Sequence, residues 1–180
     1  RSLFGHSRAQ RLARKCGPVG SVSMAYIPHD IPGPTPTVAD RAFWDYCQQR
    51  ELRFQRCSGC HRFRHPPAPA CPACRSFESD WIQAPDTGVV FSFTIVHHPA
   101  HPSMKAVVPY NVAIVDFPEC DHARLVSNVI DVAPEDVHIG MEVALVWETA
   151  GNDMLLPRFR KKTKLRARTK YPTCPTTRPQ

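Results

Sequence analysis

The chain has 180 residues, of which 42% are hydrophobic, 22% charged and 9% aromatic, the balance of a soluble globular unit with decorations. No run reaches the roughly 18 unbroken apolar residues that a membrane helix requires, which excludes a helical membrane protein. The formal charge of +7 suggests a phosphate-rich partner at first sight, but its distribution argues otherwise. Residues 1–23 hold five basic side chains and no acid, residues 158–180 hold nine and no acid, and residues 24–157 hold nine against all 16 acids. The basic excess therefore belongs to the two ends and the body is acidic.

Residues 1–36 read as a disordered or extended N-terminal arm. The first 23 are acid-free and lack hydrophobic periodicity. They fit an extension upstream of a start at Met24 better than an Arg-rich presequence, and they have no apolar core for a secretory signal. The expected location is the cytoplasm. Pro28, Pro32, Pro34 and Pro36 then make an extended stretch that builds no core by itself.

A helix-and-ribbon unit is expected over residues 37–84. Thr37 stands as helix N-cap with Asp40 as its capping-box partner. Ala39, Ala42, Phe43, Tyr46 and Cys47 form the apolar stripe of a helix ending near Arg50. Trp44 falls off that stripe and is read either as a ring packed on the ribbon or as an aromatic anchor for a partner. Leu52 to Cys57 alternates as a strand.

That strand enters the strongest motif in the chain. Cys57, Cys60, Cys71 and Cys74 form two C-x-x-C knuckles separated by ten residues. Each i, i+3 pair on a tight turn aims two sulfurs at one point, and two such turns complete a tetrahedron with Zn–S near about 2.3 Å. Four thiolates leave no open position for water or substrate, so the expected cofactor is structural Zn2+. Two disulfides suit a secreted chain, and Cys16, Cys47, Cys120 and Cys174 supply no further framework. Iron uses the same four thiolates, but His61 and Arg75 stand where a rubredoxin-type knuckle places glycine. The string Cys57 to His61 matches a haem-attachment motif but leaves Cys71 and Cys74 unexplained.

After Trp81 the period changes to alternation, and a barrel is expected over residues 85–160. Val89, Phe91, Phe93 and Ile95 are read as one face of its first strand. The apolar run Ala106 to Phe117, the segment Leu125 to Val132, the alternation Met141, Val143, Leu145 and Trp147, and Met154 to Phe159 follow. Ala133 to Gly140 reads as a turn or a single helical turn. Five strands with an insertion after the third match a five-stranded OB-fold barrel. Residues 161–180 read as a disordered basic tail. The fold class is thus mainly β: a helix, a rubredoxin-like zinc ribbon and an OB-fold barrel.

OB folds often hold single-stranded nucleic acid, and that is the alternative function. Between residues 88 and 157, however, only Lys105 and Arg124 are basic, against nine acids, a surface unsuited to phosphate. His97, His98 and His101 sit among prolines and read as a solvated loop. No nucleophile elbow, phosphate loop or paired-carboxylate motif is present, so no catalytic residue is assigned.

The capped aromatic helix, the string from Glu51 to Cys74, the barrel pattern, Ile139 to Val143 and Leu156 to Arg160 together resemble the thiolase-associated zinc-ribbon/OB-fold family, formerly a domain of unknown function. The resemblance covers roughly residues 37–160. It implies a non-catalytic accessory subunit that docks on a thiolase or thiolase-like aldolase and supports acyl-CoA metabolism, stabilising the partner or helping to form the passage for coenzyme A thioesters. The family's four cysteines map onto Cys57, Cys60, Cys71 and Cys74, and no coenzyme A contact maps onto a particular residue.

Overall fold

A computed structural model describes residues 26–163. The expectations for residues 1–25 and 164–180, including a start at Met24 and most of the basic tail, lie outside the described residues. Helix α1 spans Arg41–Gln48 and buries Phe43 and Cys47, while Ala39, expected on the same face, is exposed. The capping box forms by half. The Asp40 carboxylate accepts from both the Thr37 N–H and the Thr37 hydroxyl, each at 2.6 Å, so that hydroxyl does not cap. Thr37 instead gives its carbonyl to the Arg41 N–H at 3.0 Å, and Asp40 is the N-cap residue. The Thr37 hydroxyl contact holds the Asp40 carboxyl below its ordinary range.

Three antiparallel strands follow: β1 (Arg53–Cys57), β2 (Phe63–Arg64) and β3 (Ser79–Gln83), in the order β2-β1-β3. The barrel contains β4 (Thr87–Val96), β5 (Tyr110–Phe117), β6 (Ala123–Ser127), β7 (Val129–Ile130), β8 (Glu142–Thr149) and β9 (Leu155–Lys161). The expected third strand is broken at Asn128 into β6 and β7. The break closes the barrel, because β6 pairs antiparallel with β5 while β7 pairs parallel with β9. The sheet order β6-β5-β4-β8-β9-β7 is that of an OB fold. The apolar run from Ala106 becomes strand only at Tyr110; Pro102–Ala106 is a 3-10 turn whose first turn His101 caps through Nδ1. Between β7 and β8 the insertion is a single 3-10 turn, Pro134–Asp136.

One face expectation is overturned. The register of β4 on β5 slips between Val90 and Ser92, a β-bulge that turns the strand over. Val90 is buried at 1% exposure and Phe91 lies outside at 45%. The guanidinium of Arg124 covers the Phe91 ring, 3.5 Å from its centroid, a cation–π contact that shields the displaced aromatic. Phe93, beyond the bulge, packs back against the core.

Helix, ribbon and barrel share one apolar core. Phe54 of β1 meets Phe117 of β5 edge-on at 5.0 Å, and Phe117 meets Phe159 of β9 at 6.1 Å. His65 stacks on Phe43 and Phe54. A ribbon of this size buries too little to stand alone, so this continuity is what orients the cysteine turns on the barrel. The segment from Tyr26 to Pro34 also lies on the barrel. Gly151 meets it so closely that a Cβ there would sit 1.7 Å from the His29 carbonyl oxygen, and Gly33 N–H donates to Asn152 at 3.0 Å.

Candidate metal centre

Strand β1 ends in Cys57, and the chain then makes the same turn twice. His61 N–H closes on the Cys57 carbonyl at 2.9 Å, and Arg75 N–H closes on the Cys71 carbonyl at 2.8 Å. His61 and Arg75 take left-handed backbone, with φ 61° and 66°, the conformation that glycine adopts at least cost. The turns bring Cys57, Cys60, Cys71 and Cys74 together with all four sulfurs within 4.8 Å of one another. Sulfur pairs Cys57–Cys74 and Cys60–Cys71 stand at 3.5 Å. A zinc tetrahedron with the usual Zn–S length has sulfurs about 3.8 Å apart, so the donor set fits that ion in chemistry and in size.

The electrostatics suit thiolates. The Cys60 N–H donates to Cys57 Sγ at 3.4 Å and brings the Cys57 thiol down to about 6. Backbone N–H groups of Cys74 and Ala73 lower Cys71. The Ser76 N–H pulls Cys74 down, yet the neighbouring Cys57 and Cys60 sulfurs outweigh it and leave that thiol at about 11. The four thiols therefore do not all ionise unaided, and a dication is what stabilises the fully deprotonated set. Zinc with four thiolates carries two net negative charges. Arg64 and Cys71 line one cleft of about 290 Å3 together with Arg62 and Asp121. Arg64 is 8% exposed, its Nε donates to Gln55 at 2.7 Å, and neither terminal nitrogen has a partner among the described residues.

Cys47 and Cys120, the other cysteines among the described residues, are separate from this cluster. Burial pushes the Cys47 thiol up to about 12, and burial with nearby Glu119 raises Cys120, which leaves both as small core side chains. His97, His98 and His101 are exposed. The Trp44 indole N–H donates to Asp40 at 3.1 Å, and Trp44 lines a groove together with His65–Pro67 of the ribbon segment and Leu125 and Val126 of β6.

A second polar centre was not visible in the sequence. Asn111 of β5, fully buried, donates to the Val129 carbonyl at 2.7 Å and accepts from the Val129 N–H at 2.8 Å. Asn128 donates to the Asn111 carbonyl and accepts from Arg158 Nη1 at 2.5 Å. Arg158 Nε reaches Glu148 at 2.8 Å, and Glu148 accepts from the Tyr26 N–H. The Tyr26 hydroxyl completes the ring by accepting from Asn111, and burial raises its pKa. The available signal was an asparagine inside an apolar run. The network also revises the charge reading, because the first bases counted with the C-terminal excess belong to the barrel. Arg158 pairs with Glu148, Arg160 with Asp131 at 2.5 Å, and Lys162 with Glu142 at 3.8 Å.

A rubredoxin-like ribbon whose four cysteines converge, sharing a core with an OB barrel, defines a zinc-ribbon/OB-fold protein. The family description "ChsH2, rubredoxin-like zinc ribbon domain" matches residues 44–80, and "ChsH2, C-terminal OB-fold domain" matches residues 81–148. A "DUF35 domain-containing scaffold protein" of Methanocaldococcus jannaschii is 33% identical over 112 residues, which cover 61% of this chain and 77% of that protein. A "Probable enoyl-CoA hydratase alpha subunit" of Thermomonospora curvata is 44% identical over 129 residues, 71% of this chain but only 39% of that longer protein. Among solved structures, a chain of the "Ltp2-ChsH2(DUF35) aldolase" superposes with a TM-score of 0.65 at 40% identity, covering 72% of this chain and 98% of that one. The chain belongs to the DUF35 family of zinc-ribbon/OB-fold proteins and carries the structural zinc of that ribbon. No helix among the described residues is long and apolar enough to cross a membrane.

Proposed function

We propose that this chain is a non-catalytic accessory subunit that docks on a thiolase-family enzyme, a thiolase or thiolase-like aldolase, and supports acyl-CoA metabolism in the cytoplasm. In this reading Cys57, Cys60, Cys71 and Cys74 are the zinc ligands, residues 37–84 form the docking ribbon and residues 85–160 the barrel it is anchored to. The observation that carries the reading is the closed set of four sulfurs on a ribbon built into the barrel core. Such a centre offers no position for substrate, and it holds a rigid surface that binds with little ordering cost. The similarity to a chain of an aldolase complex supports an enzyme partner. Arg62 and Arg64, beside the second knuckle, supply guanidinium groups for the phosphates of coenzyme A.

The test is co-expression of the full chain with a thiolase-like enzyme encoded beside it, followed by size exclusion and activity assay. The expected result is co-elution, with the enzyme more soluble or more active than when expressed alone. An enzyme that elutes separately and behaves identically without the chain would sink the proposal. The nucleic-acid alternative is weakened by the ion pairs of Arg158, Arg160 and Lys162 with barrel acids. It would return if residues 24–163 bound oligonucleotide with a steep salt dependence.

A further inference from the structure

Strand β6 is an edge. Among the described residues its backbone pairs with β5 and with no other strand, at one end of the sheet order, and at its far end the Ser127 hydroxyl donates to the Pro157 carbonyl of β9 at 2.6 Å. Beside it runs a groove of about 260 Å3, bounded by α1 and the loop at His65–Pro67. The groove continues past Trp44, Leu125 and Val126 into a second hollow of about 360 Å3, walled by Ile27, Ile31 and Pro157. Val126 stands 64% exposed beside it.

Arg158 lines the second hollow. Its side chain is 7% exposed, Nε is held by Glu148 and Nη1 by Asn128, and Nη2 has no partner among the described residues. A buried donor without an acceptor is destabilising, so this atom points to a ligand. Glu148 already balances the charge, and Asp40 and Arg124 offset each other along the first hollow. The site therefore calls for a neutral acceptor on an apolar chain and not for an anion. A main-chain carbonyl is such an acceptor, and a free strand edge is the usual template for an added strand.

We infer that the groove receives an extended apolar segment of the partner enzyme. The segment pairs its backbone with β6, covers Trp44 and Val126 with its side chains, and gives a carbonyl oxygen to Arg158 Nη2. This inference rests on the docking role proposed above and names the surface that performs it.

The probe is the thiolase-like aldolase of the Ltp2–ChsH2 type, titrated into the full chain. The wild-type chain, Val126→Arg and Ile139→Arg are compared by calorimetry; Ile139 is equally exposed, at 67%, and lines neither hollow. Val126→Arg is expected to weaken binding about 30-fold or more, the loss typical of a central interface residue, and Ile139→Arg by less than about 3-fold. Hydrogen exchange on the wild-type complex needs no variant to fold, and it should show the amides of Ala123–Ser127 slowed by the aldolase. Undiminished binding by Val126→Arg with unprotected β6 amides overturns the groove and leaves the subunit role standing. Failure of the wild-type chain to bind overturns both. A Val126-dependent dimer of this chain alone would assign the groove to a second copy and overturn the inference.

Discussion

Arg158 and Glu148, on neighbouring strands β9 and β8, form an ion pair at 2.8 Å with side chains only 7% and 12% exposed. Each also serves the polar ring that ties the Tyr26 segment to the barrel, through Asn128 and the Tyr26 N–H. Removing one partner of a buried pair strands the other charge. Glu148→Ala should therefore lower stability by about 3–5 kcal/mol, whereas Arg158→Met with Glu148→Leu should recover most of that loss. Chemical denaturation of the two variants checks this, and equal loss in both would show that packing and not the stranded charge sets the cost.

The metal assignment separates two buried cysteines. Cys71→Ser removes a ligand and should leave the ribbon unfolded even with zinc added, with less than one zinc bound per chain. Cys120, 2% exposed and outside the sulfur cluster, should lose about 1–2 kcal/mol as serine, from the hydroxyl placed in an apolar site, and keep its zinc. Metal analysis together with thermal melts of both variants distinguishes them.

The bulge in β4 makes a reversed prediction about adjacent apolar residues. Val90→Ala should cost about 2 kcal/mol, since Val90 is in the core. Phe91→Ala, despite removing a larger side chain, should cost about 1 kcal/mol or less, because it loses only the cover of Arg124. A larger loss from Phe91→Ala would contradict the observed register.

His65 gives a pH signature. Burial against Phe43 and Phe54 brings its pKa down to about 4 from 6.5, and the charged groups lining the adjoining groove, Asp40 and Arg124, do not reverse this. The unfolded chain thus binds a proton that the folded chain refuses between those values. Its contribution is complete above pH 6.5 and is lost as pH falls towards 4, by an amount on the order of 3 kcal/mol. His65→Phe should flatten the dependence of stability on pH in that window, measured as the difference from wild type so that acid release of zinc cancels. Parallel curves for the two proteins would remove His65 as the cause.

Much of this molecule was legible in the chain itself. The cysteine quartet could be read because an i, i+3 knuckle is a local geometry, and the order of helix, ribbon and barrel because alternation and helical period are local too. The helix start was read only in part: Thr37 and Asp40 do interact, but the carboxylate accepts where the hydroxyl was expected to. Other features depend on residues far apart in sequence. The slip between Val90 and Ser92 is defined against β5, and a one-residue slip exchanges inside for outside. The break at Asn128 follows from β6 pairing with one strand and β7 with another. Arg158 looked like the first base of a charged tail, and only the closed barrel buries it beside Glu148. Local spacing thus determined which atoms can hold a metal. Long-range register decided which side chains enter the core, where charge is cancelled, and which strand edge stays free, because those outcomes are set by pairing partners that no single stretch of sequence contains.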